Sequence, residues 1–107
     1  MDRLKTLVNV ATLSKLVRQE VTAYAGEAYG VNGLTKLYYT ENSHDLTYCV
    51  TAPYDPTYRK AALVLMARIV EDQVIIDVDE TGKPLRDALR QAGIPDYQIR
   101  LAWDSIQ

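Results

Sequence analysis

The sequence predicts an α+β domain: an antiparallel β-sheet of about four to five strands with two helices packed on one face, in the order α–β–β–β–β–α–β. Three observations carry that prediction. An apolar stripe at helical spacing lies near the start, a run of β-rich segments broken by short polar turns follows, and a second amphipathic stretch is bracketed by Pro84 and Gly93.

Residues 13–28, LSKLVRQEVTAYAGEA, set Leu13, Leu16, Val17, Val21, Tyr24 and Ala28 on one side at 3.6-residue spacing, with Lys15, Arg18, Gln19 and Thr22 elsewhere. That pattern predicts a helix packed along one face. Thr12 or Ser14 is placed to cap it, unless Leu4, Leu7 and Val8 carry the helix upstream; Gly30, Asn32 and Gly33 end it. Strands are expected at 34–40 (LTKLYYT) and 46–51 (LTYCVT), the second alternating Leu46, Tyr48 and Val50 against Thr47, Cys49 and Thr51. ENSHD between them reads as a hairpin loop. In APYDPTYRK, Pro53 and Pro56 forbid regular pairing and predict a longer connection. The third strand falls within 60–70 and the fourth within 74–79, joined through Glu71, Asp72 and Gln73. Pro84 opens the second helix, Leu85, Ala88, Leu89 and Ala92 form its apolar face, Gly93 caps it and Pro95 stops it. Ile99, Leu101 and Trp103 then alternate with Arg100 and Ala102 as a short final strand.

The 107 residues suit one domain, 1–107, and 48% apolar content argues for a packed core rather than disorder. No apolar run approaches the roughly 20 residues that span a bilayer, and MDRLKTLVNV lacks the form of a signal peptide. A single cysteine, Cys49, forms no internal disulfide. A cytoplasmic protein is the expectation. Net charge is −2, so no overall positive field draws nucleic acid. Residues 1–70 nevertheless carry +2 and residues 71–107 carry −4, which leaves room for a local basic patch.

Val74–Gly82, VIIDVDETG, has the Asp-x-Asp-x-Thr form of an aspartyl-phosphatase nucleophile motif. That chemistry needs a parallel sheet, further carboxylates for Mg²⁺ and a phosphate-balancing Lys. Here Asp77 leaves a tight hairpin and no paired acidic motif follows it, so Asp77 and Asp79 read as the charged end of a strand. A calcium loop fails as well, because the twelfth position from Asp77 is Ala88 rather than Glu. His44, the one histidine, reads as a solvated turn residue and Cys49 as a small packed group, although a Cys–His pair is conceivable if the hairpin folds one over the other. One His and one Cys make no zinc site. No catalytic residue, metal or cofactor is expected.

Eight tyrosines and no phenylalanine is an unusual balance, and Tyr38, Tyr39, Tyr48, Tyr54 and Tyr58 are concentrated between residues 38 and 58. Tyrosine joins a large apolar body to a polar tip, which suits interfaces and base stacking. Tyr38, Tyr48, Tyr54, Tyr58, Arg59 and Lys60 are therefore the candidate partner-binding set, weighed against a half-exposed sheet that simply lines its surface with rings. Lys83, Arg86 and Arg90, at i, i+3 and i+7, form a second candidate, a basic stripe diluted by Asp87.

Residues 60–103 resemble the carboxy-terminal half of the XisI-like family, the element excision controlling factors. The matched features are the turn Glu71-Asp72-Gln73, Asp79, Ala92-Gly93-Ile94-Pro95, Asp96, and Ile99/Leu101/Trp103. The first helix and the next two strands fit in order, so the resemblance spans about nine-tenths of the chain. Departures are Asp79-Glu80-Thr81-Gly82-Lys83-Pro84, where the family has Asp-Gly-Thr, and Thr51-Ala52-Pro53-Tyr54, where it has Gly-Trp. Many members also run on into a Pro- and Tyr-containing tail beyond the aromatic, so partners bound through these segments would differ here. The resemblance implies a non-enzymatic accessory role in programmed excision of a DNA element. The implied partner is another protein, either a second controlling factor or a recombinase-associated one. Exposed tyrosines and a short sheet edge add the expectation of a homodimer. Direct DNA binding is the alternative function, and a phosphatase using Asp77 a further one.

Overall fold

The computed structural model describes residues 6–30 and 33–104. Leu4, considered above as an upstream helix residue, and Asn32, as part of the helix stop, lie outside them. The elements are α1 (Val10–Thr22), β1 (Gly26–Gly30), β2 (Gly33–Asn42), β3 (Thr47–Asp55), β4 (Lys60–Val70), β5 (Gln73–Asp79), α2 (Leu85–Gln91) and β6 (Ile99–Leu101), with short 3-10 turns at Asp96–Gln98 and Ala102–Asp104. This is the expected α+β arrangement with six strands, more than the four to five predicted.

The additional strand comes from the end of the predicted first helix. Leu13, Val17 and Val21 are buried as expected, but the helix starts earlier, capped by the Asn9 side chain on the Thr12 N–H, and stops at Ala23. Gly26, at φ 111°, turns the chain into β1, which pairs with β2 from Gly26↔Leu37 to Gly30↔Gly33. Ala28 fell on the helical stripe by coincidence of phase; it belongs to a hairpin.

Strands lie in the sheet in chain order, β1 to β6, each antiparallel to the last except for β5–β6. That pair is parallel, Val74↔Ile99 through Ile76↔Leu101, because α2 carries the chain back along the sheet before β6 begins. The sheet is thus mostly, not wholly, antiparallel. Both helices cover one face: Leu13, Val17 and Val21 of α1 and Leu85 and Leu89 of α2 meet Tyr48, Val50, Leu65, Ala67, Val74 and Ile76 in a continuous core.

The β3–β4 connection is also tighter than expected. Pro53 interrupts the ladder, which shifts register between Ala52 and Asp55. Pro56, however, opens a four-residue turn instead of a long loop. The Asp55 side chain accepts from the Thr57 N–H, its carbonyl accepts from the Arg59 N–H at 2.6 Å, and Arg59 sits at φ 58°. The β2–β3 turn repeats the device. Asn42 Oδ1 accepts from His44 and Asp45 N–H groups, and Leu46 takes φ 50°.

Candidate interaction site

The Asp-x-Asp-x-Thr segment is engaged in holding the fold. Asp77 lies at a register shift of the β4–β5 ladder and receives Arg68 through Nε at 2.6 Å and a second guanidinium nitrogen at 3.2 Å. Asp79 faces the helices. One of its oxygens accepts from the Thr81 N–H at 3.0 Å and hydroxyl at 2.7 Å, the other from the Leu85 N–H at 2.7 Å. It thereby ties the loop to the start of α2, where Pro84 supplies no side-chain cap. Tyr24 closes the loop by donating its hydroxyl to the Lys83 carbonyl at 2.6 Å, and burial raises its pKa. Among the described residues no group of three His, Cys, Asp or Glu is placed to hold a metal ion.

His44 and Cys49 occupy different surroundings. His44 is in the exposed β2–β3 turn, whereas Cys49 pairs with Thr40 and Met66 inside the ladder, where burial raises the thiol's pKa.

The tyrosines separate into three environments. Tyr48 is fully buried under α1, its hydroxyl hydrogen-bonded to that of Ser14, and so leaves the partner-binding set. The alternation that places Val50 in the core places Tyr48 there too. Tyr38 stands on the helix-free side of the sheet with the Lys36 ammonium 5.5 Å from its ring centre. Tyr54 and Tyr58 are 62% and 50% exposed at the far end of the β3–β4 hairpin.

That hairpin and the β1–β2 hairpin diverge. β2 pairs with β3 only from Tyr38 onward, so Gly33–Leu37 and Ala52–Tyr54 have no ladder between them among the described residues. The gap is a cavity of about 500 Å³ lined by Leu34, Thr35, Pro53, Tyr54, Tyr58 and Lys60. It brings Tyr54, Tyr58 and Lys60 together and adds Leu34, which is 56% exposed and absent from the sequence-derived set. Arg59 lies in the adjoining turn.

The basic stripe does not survive folding as an open array. Pro95 sends Asp96 back beside α2, where it receives Arg86 at 3.0 Å and Arg90 at 3.4 Å, while Arg90 also bonds Asp87 at 2.8 Å. Lys83 contributes its backbone to the loop. A network of charge the sequence did not announce joins Arg18 of α1 to Glu41 of β2 through two bonds of 2.8 and 3.0 Å, with the Tyr39 hydroxyl on the same carboxylate at 2.6 Å. The bond from Arg18 depresses the Glu41 pKa, and burial together with the bond to Glu41 raises that of Tyr39.

Two helices on one face of a six-stranded sheet, with two hairpins parted at one end, define a small α+β class with solved members. A XisI-like protein from Anabaena variabilis ATCC 29413 matches with a TM-score of 0.75 over 89% of this chain and 87% of its own, at 16% identity. The fdxN element excision controlling factor XisI from the same organism matches with a TM-score of 0.69 over 89% of this chain and 86% of its own, at 17% identity. The chain therefore has the XisI-like fold, as the motifs in residues 60–103 implied. No protein-family model matches the sequence, and no curated protein does.

Proposed function

We propose that the chain is a non-enzymatic accessory protein that binds another protein through its parted hairpins, in DNA element excision or a related rearrangement in the cytoplasm. The observation that carries this reading is the cluster of Leu34, Tyr54, Tyr58 and Lys60 around an accessible cavity, on a fold shared with an excision controlling factor. Exposed tyrosines at the mouth of an apolar recess are the usual anchors of protein recognition. The engagement of Asp77 by Arg68, and of Asp79 by the α2 entry loop, supports a structural rather than nucleophilic use of those carboxylates.

The partner of this reading is a second excision controlling factor or a recombinase-associated protein. Co-expression with the products of neighbouring genes, followed by calorimetry, tests it. Tyr54→Ala and Tyr58→Ala are each expected to weaken a recovered complex by about tenfold or more while leaving the circular dichroism spectrum unchanged. A complex indifferent to both substitutions would remove the hairpins as its site.

Arg59 and Lys60, adjacent at a projecting turn, favour a second reading, direct contact with DNA. Retardation of duplex DNA at low salt that is lost in Arg59→Ala and Lys60→Ala would support it, and no retardation would end it.

A further inference from the structure

The β2–β3 ladder ends at Tyr38↔Thr51, although both strands continue past it, β2 back to Gly33 and β3 on to Asp55. Each stays paired on its other side. Gly33–Leu37 pair with β1 without a break, and Ala52 and Asp55 pair with Ala62 and Lys60 of β4. The fork therefore has two walls held in extended form, with the cavity of about 500 Å³ between them.

The main chain along the two walls is unequal. In an antiparallel pair, alternate residues turn their N–H and C=O to opposite edges of the strand. Gly30↔Gly33 closes the β1–β2 hairpin, so Gly33, Thr35 and Leu37 direct theirs to β1, while Leu34 and Lys36 direct theirs into the fork. Among the described residues nothing pairs with these groups. Continued in register, the ladder would set Lys36 against Pro53, which has no N–H to give. The strands part where β3 fails as a partner for β2.

A ligand that covers the fork has to replace water on those groups, because a buried N–H or C=O without a partner is costly. A helix has already used its own main chain. Phosphates accept from N–H groups but offer nothing to the carbonyls. An extended chain carries donors and acceptors together at strand spacing. Its flanks must also be free. An edge strand of a second copy would run its own neighbour into the β3–β4 hairpin. Resting on the reading of the parted hairpins as the binding site, we propose that the partner docks by adding one extended, unpaired segment of about five residues, the length of Gly33–Leu37, to the inner edge of β2. Main-chain bonds to Leu34 and Lys36 hold the segment, and the Leu34, Tyr54 and Tyr58 side chains favour apolar residues along it.

Peptides of random sequence displayed on phage and selected against the whole chain supply the probe. Synthetic copies whose binding falls in Tyr54→Ala and Tyr58→Ala occupy the fork. On binding such a peptide, amide exchange at Leu34 and Lys36 in the unaltered chain is expected to slow by about tenfold or more, and that at Thr35, already bonded to β1, by less. Lys36→Pro removes a fork-facing N–H while sparing the β1 ladder, and should weaken the peptide by about tenfold with an unchanged circular dichroism spectrum. Lys36→Ala should bind as the unaltered chain does. Fork-bound peptides that leave the Leu34 and Lys36 amides unprotected would overturn strand addition and leave the hairpins as the site. A selection that returns no fork-dependent peptide would also overturn it, since main-chain pairing tolerates many sequences. Peptides or a partner protein indifferent to both tyrosine substitutions would instead remove the hairpins as the site, and strand addition with them.

Discussion

The Gln98 carboxamide pairs with both backbone groups of Val8, accepting from its N–H at 2.8 Å and donating to its carbonyl at 3.0 Å. The same amide nitrogen donates to the Asp72 carbonyl at 2.8 Å. Gln98 is the one buried polar side chain among the described residues, and it fastens the segment before α1 to the β4–β5 turn and the start of β6. Gln98→Ala leaves three backbone groups of the clasp without this partner. Such losses cost about 1–3 kcal/mol each where water cannot enter, so a total near 3 kcal/mol is expected after partial solvation. Urea denaturation measures it. Gln98→Glu should be at least as damaging, because a carboxylate offers no donor to the two carbonyls.

The two aspartates of the VIIDVDETG segment should behave differently on substitution. Asp79→Ala removes three bonds that organise the α2 entry, one of them to an N–H that Pro84 cannot cap, and is expected to cost about 2 kcal/mol. Asp77→Asn breaks an ion pair whose arginine is 41% exposed, so solvent screening holds its effect below about 1 kcal/mol. Thermal unfolding of both variants checks the order. Equal losses, or a larger one at Asp77, would mean that the bulged strand depends on the Arg68 contact more than this geometry allows.

Strand order, the apolar faces of both helices and the cap at Gly93 were legible because each rests on a local signal: periodicity, a Pro or Gly at a boundary, or a short polar turn. Tyr48 was misread because half-buried alternation does not tell which face a helix will cover. The β1 strand escaped notice because GEAYG has low β-propensity and continues the helical phase by chance. In the β2–β3 and β3–β4 turns, Asn42 and Asp55 were visible starters, but Leu46 and Arg59 at positive φ carry no sequence mark. The site is harder still. Leu34 joins Tyr54 and Tyr58 across a gap where two consecutive hairpins part beyond the end of their shared ladder, and Asp96 reaches Arg86 only after the chain has turned at Pro95.

The Arg18–Glu41 bond predicts a pH response. Glu41 has a folded pKa below its ordinary value, chiefly through the hydrogen bond from Arg18 and then the one from Tyr39. Its contribution is therefore fully present above the unfolded carboxylate pKa, near 4.3, and is lost as pH falls through the lower folded value. Carboxyl NMR titration should show Glu41 below the ordinary glutamate value. Glu41→Gln should lower stability at neutral pH, where the wild-type contribution is fully present, and should flatten the acid limb of the profile, where the wild type loses it anyway. An unshifted titration would dissolve the link.

Gly93 closes α2 in a Schellman arrangement: its N–H reaches the Arg90 carbonyl, and the Ile94 N–H reaches the Leu89 carbonyl, both at 3.0 Å. Ile94 and Leu89 are both buried, so the turn also sets a core contact. At φ 110°, Gly93 is in a region that L-residues rarely occupy, yet a Cβ there would meet nothing within 4 Å. The penalty for Gly93→Ala is accordingly one of backbone conformation, about 1–2 kcal/mol, with no steric part. Chirality separates the two. D-alanine at position 93, introduced by chemical synthesis of the chain, favours positive φ and restricts the unfolded state, so it should match or exceed the stability of glycine while L-alanine loses. A D-alanine variant as unstable as the L-form would show that space, not backbone angle, demands the glycine.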